Sequence, residues 1–170
     1  MNDFPQRKRI RLKNYDYSQN GYYFVTICTY ERQQLFEMST VGNDLCVVPE
    51  TAPQNRILQN WLLQMQKKFG VVIDKFVVMP DHIHLILIIN SERHVGRSLP
   101  EMIHWFKTMT TNDFIKSVNA GLFRPFNKKI WQKSYYEHVI RNDNDYALTL
   151  EYICNNPLKL ELIRGNAAVN

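Results

Sequence analysis

Apolar and polar positions alternate, cluster and pause along this chain in a way that predicts seven elements. Gly21 to Tyr30 (GYYFVTICTY) is β-branched and aromatic throughout, as a buried strand requires. Leu35 to Val48 is broken at Gly42-Asn43-Asp44, which suits a hairpin or a long loop. Over 54–69, Ile57, Leu58, Trp61, Leu62, Met65 and Phe69 recur at helical spacing, and Gly70 can end the helix. Val71 to Met79 and His82 to Ile89 are mostly apolar and read as central strands joined by the tight link Met79-Pro80-Asp81. Ser98-Leu99-Pro100-Glu101 is a capping box that opens a second helix, with Met102, Phe106 and Met109 toward a core. Lys129 to Ile140, rich in Trp, Tyr and Val, reads as a strand. Asp143 or Asn144 can cap a last helix to Asn156, stopped by Pro157.

Strand, helix, strand, strand, helix, strand and an extra helix is the order of a ferredoxin-like α+β sandwich. Its central antiparallel sheet carries helices on one face, and the extra C-terminal helix carries a tyrosine of interest. Repeats and low-complexity linkers are absent from the sequence. The 170 residues suit a single domain over 21–165 behind a basic arm over 1–20. No apolar run approaches the ~20 residues of a membrane span. The polar, basic start has no signal-peptide core, so the expected location is cytoplasmic. Cys28, Cys46 and Cys154 are widely spaced and odd in number, which suggests neither a zinc ribbon nor a disulfide framework.

The net charge of +5 is local. Residues 1–13 take five of the 21 basic and one of the 16 acidic residues, leaving 16 against 15 in the body. The five, Arg7, Lys8, Arg9, Arg11 and Lys13, suit a phosphate backbone; a solvated tail would have the same composition.

Three constellations carry candidate chemistry. In Met79-Pro80-Asp81-His82-Ile83-His84-Leu85, residues i and i+2 of a strand share a face, about 6.5–7 Å apart. His82 and His84 can therefore face one metal ion while Ile83 anchors the strand in the core. An idle, hydrogen-bonded pair has the same spacing, so the motif alone leaves both readings open. Asp81 can orient His82 or simply make the turn. In the last helix, Tyr152 and Asn156 lie about 40° apart on one face. Beside a buried stripe of Ala147, Leu150 and Ile153, that face suits a tyrosine hydroxyl aimed into a cleft and an amide ligand one turn on. A packed Tyr and a C-terminal amide cap give the same pattern. Third, Arg124, Lys128, Lys129, Lys133 and Arg141 surround Trp131, Tyr135 and Tyr136, and cations interleaved with rings suit single-stranded nucleic acid. A solvated charged face is the alternative. His94, His104 and His138 have no ligand spacing: a loop, a helix surface and a strand near the basic cluster.

Taken together, VMPDHIHLIL, Tyr152 to Lys159 (YICNNPLK), the opening RKRIRLKNYDYSQNGYYFVTICT and WQKSYYEHVIRN resemble the REP-associated branch of the single-tyrosine HUH transposases. The resemblance covers most of the chain and is weakest over 37–54. It implies the ferredoxin-like fold. It implies His82 and His84 as metal ligands, Tyr152 as nucleophile and Asn156 at the position of a third ligand. Mg²⁺ or Mn²⁺ would be the cofactor, and DNA hairpins from imperfect palindromes the substrate. The implied reaction nicks and rejoins single-stranded DNA through a 5′-phosphotyrosine link, by a monomer or homodimer. Lys107 and Lys159 are candidates for phosphate contact or for favouring the phenolate. Tyr135, Tyr136 and Tyr146 are rival nucleophiles, with Tyr146 about 120° from Tyr152 around the helix. Competing functions are a non-catalytic hairpin-binding protein, a rolling-circle initiator nuclease and a hydrolytic phosphodiesterase. The first keeps DNA binding without a covalent adduct; the last cuts without a protein–DNA link.

Overall fold

The computed structural model describes residues 15–38, 52–90 and 96–167. Strand β1 (Gly21–Cys28) leads through a short 3₁₀ turn (Tyr30–Arg32) toward helix α1 (Pro53–Phe69). Strands β2 (Val72–Met79) and β3 (His82–Ile89) follow, then α2 (Leu99–Asn119), β4 (Tyr136–Ile140) and α3 (Asp143–Ala167). The four strands form one open antiparallel sheet in the order β2-β3-β1-β4, as the ferredoxin-like order requires.

Alternation divides the sheet into two unlike faces. Tyr23, Val25 and Ile27 of β1 and Ile83, Leu85, Leu87 and Ile89 of β3 are essentially inaccessible and pack on Leu58, Leu62 and Met65 of α1 and Met102 and Phe106 of α2. Residues i+1 of the same strands turn to the other face, where α3 lies. There a smaller cluster of Val77, Met79, Ile86, Ile140 and Ile153 holds helix to sheet. The extra helix therefore makes a third layer, and the sheet is covered on both sides.

The helix ends follow from local chemistry. Gly70 closes α1 at φ 66°, donating its N–H to the Gln66 carbonyl. The Ser98–Glu101 capping box opens α2 as expected. Ile103, Thr110 and Phe114 join Met102 and Phe106 in the core, while Met109 is only half-buried. α3 is capped by neither Asp143 nor Asn144: the Asn142 side-chain oxygen accepts the Asp145 N–H at 2.9 Å.

Three further expectations are corrected. The stretch Lys129 to Ile140 is a strand only from Tyr136. Upstream, Lys107 of α2 donates its ammonium to the Gln132 and Ser134 carbonyls at 3.0 and 2.9 Å, so those groups do not serve a ladder. Among the described residues only an isolated bridge, Thr29 to Trp131, continues the pairing. Second, Pro157 does not stop α3, which runs on to Ala167. Proline removes one N–H, but Leu158-Lys159-Leu160-Glu161-Leu162 are good helix formers and the helix resumes. Third, the buried stripe of α3 is rotated. Thr149 and Ile153 are buried, Tyr146 and Leu150 half-buried, and Ala147 exposed. Tyr146 sets this angle: its hydroxyl donates to Asp74 Oδ2 at 2.6 Å, and its ring meets Tyr22 edge-on at 5.9 Å.

Candidate active site

Register brings the site together. On β3, His82 and His84 point to the α3 face with their Nε2 atoms 3.0 Å apart. Each ring is held from behind. His82 Nδ1 lies 2.6 Å from Asp81 Oδ1, and because a carboxylate only accepts, the proton sits on Nδ1. Asp81 thus orients the imidazole as well as making the turn. His84 Nδ1 lies 2.7 Å from Thr26 Oγ1, its cross-strand partner on β1. Arg32 completes the chain with Asp81 Oδ2 at 3.2 Å. It is held there by a turn in which Glu31 and Arg32 both adopt positive φ, 53° and 56°. Phe24 stacks on the His84 ring at 5.3 Å.

The tautomers decide what this pair can hold. Alone, the chain runs in one direction: Thr26 O–H donates to His84 Nδ1, His84 Nε2–H to His82 Nε2, and His82 Nδ1–H to Asp81. Because a hydroxyl both donates and accepts, His84 can instead donate from Nδ1 to Thr26. Both Nε2 lone pairs then face one point. Nitrogens 3.0 Å apart suit adjacent ligands of a cation with bonds near ~2.1 Å, the octahedral range. Burial pushes the His84 imidazole down to about 3, and the neighbouring His82 adds to this. The ring is therefore neutral at physiological pH, as a ligand must be.

From α3, the Tyr152 ring meets His84 edge-on at 5.3 Å and Phe24 at 5.8 Å. It is 45% exposed, so a large substrate can reach it. One turn on, the Asn156 amide nitrogen is enclosed and lacks a hydrogen-bond partner among the described residues. Amide oxygen and nitrogen exchange by a flip, so this end can present a ligand oxygen. Among the described residues no group of three His, Cys, Asp or Glu side chains converges. Two imidazoles whose Nε2 atoms lie 3.0 Å apart are donors that fit a divalent ion with open positions.

Other candidates fall elsewhere. Lys107 lies on α2, beneath the opposite face, spent on carbonyls and on the Tyr135 ring at 5.5 Å. Arg124, Lys128, Lys129, Lys133 and Arg141 are all exposed. Their aromatic companions are not a stacking row: Trp131 and Tyr135 are buried, with Trp131 donating to Thr110 Oγ1 at 2.9 Å. Tyr136 alone of the three is open, 53% exposed. Tyr146 is tied to Asp74, which pushes its phenol up to about 12. His138 contacts Asp145 at 2.8 Å, and His104 is exposed on α2. Arg7, Lys8, Arg9, Arg11, Lys13, Cys46 and His94, with the Lys159 side chain, lie outside the described residues. Thr26, Phe24 and Arg32 were missed by sequence reasoning. Strand register, unknown from one sequence, was the signal needed for the first two.

Comparison with known proteins gives the chain its relatives. The family model "Transposase IS200 like" matches residues 17–156. A Haemophilus influenzae protein provisionally named a REP-associated tyrosine transposase is 27% identical over 160 residues, 87% of this chain and 77% of its own. The REP-associated tyrosine transposase of Escherichia coli K12 is 30% identical over 107 residues, 62% of this chain and 56% of its own. The fold is similar to a REP-associated tyrosine transposase solved bound to a REP hairpin. That match has a TM-score of 0.59 and 23% identity, covering 88% of this chain and 73% of the other.

Proposed function

Since the chain belongs to the IS200-like transposases, in their REP-associated single-tyrosine HUH branch, we propose that it nicks and rejoins single-stranded DNA beside hairpins. The observation that carries this reading is the Tyr152 ring set edge-on at 5.3 Å to a histidine pair whose Nε2 atoms converge at 3.0 Å.

His82, His84 and Asn156 would hold Mg²⁺ or Mn²⁺, which when bound polarises the scissile phosphate and offsets its charge. The protein's own groups do the rest. Asp81 and Thr26 fix the two imidazoles so that no reorientation is needed when the strand arrives. Tyr152 attacks phosphorus with its phenol oxygen as the bond to the 3′-oxygen breaks. A 5′-phosphotyrosine and a free 3′-hydroxyl result. The phosphodiester energy stays in the new link, so another 3′-hydroxyl can reverse the step and rejoin. The exposed cations Arg124, Lys128, Lys129, Lys133 and Arg141, with the basic arm and Lys159, are the proposed phosphate contacts.

The test is a denaturing gel of the protein with Mn²⁺ and hairpin-bearing single-stranded oligonucleotides. A covalent protein–DNA band is expected, lost in Tyr152→Phe and with chelator. Full adduct from Tyr152→Phe would overturn the assignment. Free cleaved product alone would indicate a hydrolytic phosphodiesterase, and tight hairpin binding without either product a binding protein.

A further inference from the structure

At the end of the sheet where the histidine pair lies, the chain makes a turn that stability alone does not explain. Glu31 and Arg32 are consecutive residues with φ of 53° and 56°, a left-handed conformation that is unfavourable for any side chain with a Cβ atom. The contact this turn makes toward the histidines is a surface ion pair. Arg32 Nη1 lies 3.2 Å from Asp81 Oδ2, with the arginine side chain 53% exposed and the aspartate 27%. Exposed pairs of this kind contribute little to folding, less than two left-handed residues cost. Such residues persist where their surroundings over-determine them, and the surroundings here do so.

Two neighbouring segments hold the turn. The Pro80–Asp81 link, which delivers the chain into His82, accepts three of its backbone hydrogen bonds. Thr29 N–H donates to the Asp81 carbonyl at 2.9 Å, and the Leu35 and Phe36 N–H groups donate to the Pro80 carbonyl at 2.9 and 3.1 Å. The buried Thr29 hydroxyl lies between the Gln33 and Asp81 carbonyls, 2.8 and 2.9 Å away. The second segment follows α2. The Gln33 amide donates to the Asn127 and Lys129 carbonyls at 3.1 and 3.2 Å and accepts the Asn127 N–H at 2.6 Å. Asn127 in turn donates its side-chain amide to Glu31 Oε2 at 3.1 Å. Lys128, between those two carbonyls, has φ 56°, so all three non-glycine residues at positive φ among the described residues meet in this clamp.

We propose that Arg32 is a positioning residue for the metal-dependent nicking step: by holding Asp81 Oδ2 it keeps Oδ1 on His82 Nδ1, and so keeps the His82 Nε2 lone pair open to the divalent ion. A carboxylate turns about one bond, and Asp81 is open enough to water to turn away from His82 when nothing restrains it. An imidazole that loses this acceptor can carry its proton on Nε2 instead of Nδ1. There the proton occupies the lone pair that a metal would use. One contact on each oxygen fixes the carboxylate, Arg32 Nη1 at 3.2 Å and His82 Nδ1 at 2.6 Å. In this role the guanidinium touches neither ion nor DNA and acts only through Asp81. The inference rests on the proposed function, because it serves the ion that nicking needs, and the test separates the two.

The test uses the full chain and begins without metal or DNA. Arg32→Asn removes the guanidinium and keeps a residue that accepts left-handed φ, so its melting in chelator should match the wild type. Long-range proton–nitrogen correlation spectra of the histidine rings in chelator should show His82 protonated on Nδ1 in the wild type and a mixture of tautomers in the variant. Mn²⁺ affinity, read by titration calorimetry, should weaken at least about tenfold. Arg32→Lys restores a cation to a contact that needs one donor, and should return to within about threefold of the wild type. Hairpin binding in chelator should keep its salt dependence in both variants, whereas loss of a phosphate contact would lower the slope by about one. A wild-type tautomer and Mn²⁺ affinity in Arg32→Asn overturn the inference. A lowered salt slope with the tautomer unmoved overturns it too, and puts Arg32 on the DNA instead. Tautomer and affinity that follow Arg32, in a protein whose wild type forms no covalent adduct, would keep this role and remove the nicking reading. Adduct formation with neither readout moved would do the reverse.

Discussion

The two faces of the sheet are built from the same strands and do opposite work. On β3, Ile83, Leu85, Leu87 and Ile89 are essentially inaccessible against α1 and α2, with no polar side chain among them. One residue out of step, His82, His84, Ile86 and Ile88 face α3. There the apolar cluster is small and shares the face with polar groups. The histidine pair with Tyr152 lies at one end and a depression lined by Asp74 at the other. The difference teaches that hydrophobic burial holds one face while the other keeps just enough of it to dock a helix. Its remaining positions are free for polar groups that burial would otherwise penalise.

The largest expected effect comes from the buried polar group itself. His84 is neutral in the folded protein, with its imidazole pushed down to about 3 from an ordinary value of 6.5. Between those limits the unfolded chain binds a proton that the folded chain does not, so stability rises with pH across the window and is lost as pH falls. The loss should reach about 3–5 kcal/mol by pH 3. Urea midpoints in chelator at pH 7, 5 and 4 should fall steeply for the wild type, and less steeply for His84→Gln, which has no imidazole there. Equal slopes for the two proteins would show that the pH dependence belongs to other groups and that the two faces differ less than their packing suggests.

A smaller effect tests how the functional face is ordered. Thr26 serves either tautomer of His84 through one hydroxyl at 2.7 Å. Thr26→Val keeps the β-branched shape that the strand prefers and removes only that hydrogen bond. Mn²⁺ affinity, read by titration calorimetry on the purified protein, should weaken about 10–100-fold. Thermal stability without metal should change far less. Unaltered affinity would mean that packing on Phe24 alone holds the ring.

Much of this face was legible from sequence, and what was not has a physical reason. His82 and His84 share a face because strand period is two, and Tyr152 and Asn156 share one because helix period is 3.6; both need only local geometry. The βαββαβ order was legible for the same reason. Thr26 was not, because its role depends on pairing with a residue 58 positions away, and register cannot be read from one strand. The start of β4 was misplaced because Lys107, far off in sequence, takes the carbonyls that a ladder would use. The run through Pro157 and the rotation of α3 are tertiary choices too: a hydroxyl tied to Asp74 outweighed the apolar position Ala147 in deciding which side turned inward.

Lys107 gives the smallest effect and the sharpest contrast between the faces. By charge alone it is a candidate for phosphate or phenolate, yet its ammonium sits on the α1–α2 side, donating to two carbonyls of the segment before β4. A cation so placed orders that segment and the buried Tyr135 ring over which it lies. Lys107→Met keeps the alkyl stem and deletes the donors. The expected result is a loss of about 1–2 kcal/mol in urea unfolding, the range for hydrogen bonds from a charged donor that is partly open to water. The rate of covalent adduct formation with hairpin DNA, measured below the unfolding transition, should change by less than about twofold, and the dependence of DNA binding on salt should keep its slope, since no phosphate contact is removed. A clear drop in that slope, with stability intact, would move Lys107 onto the DNA path and extend the functional surface around the edge of the sheet to the face that packing alone was assigned.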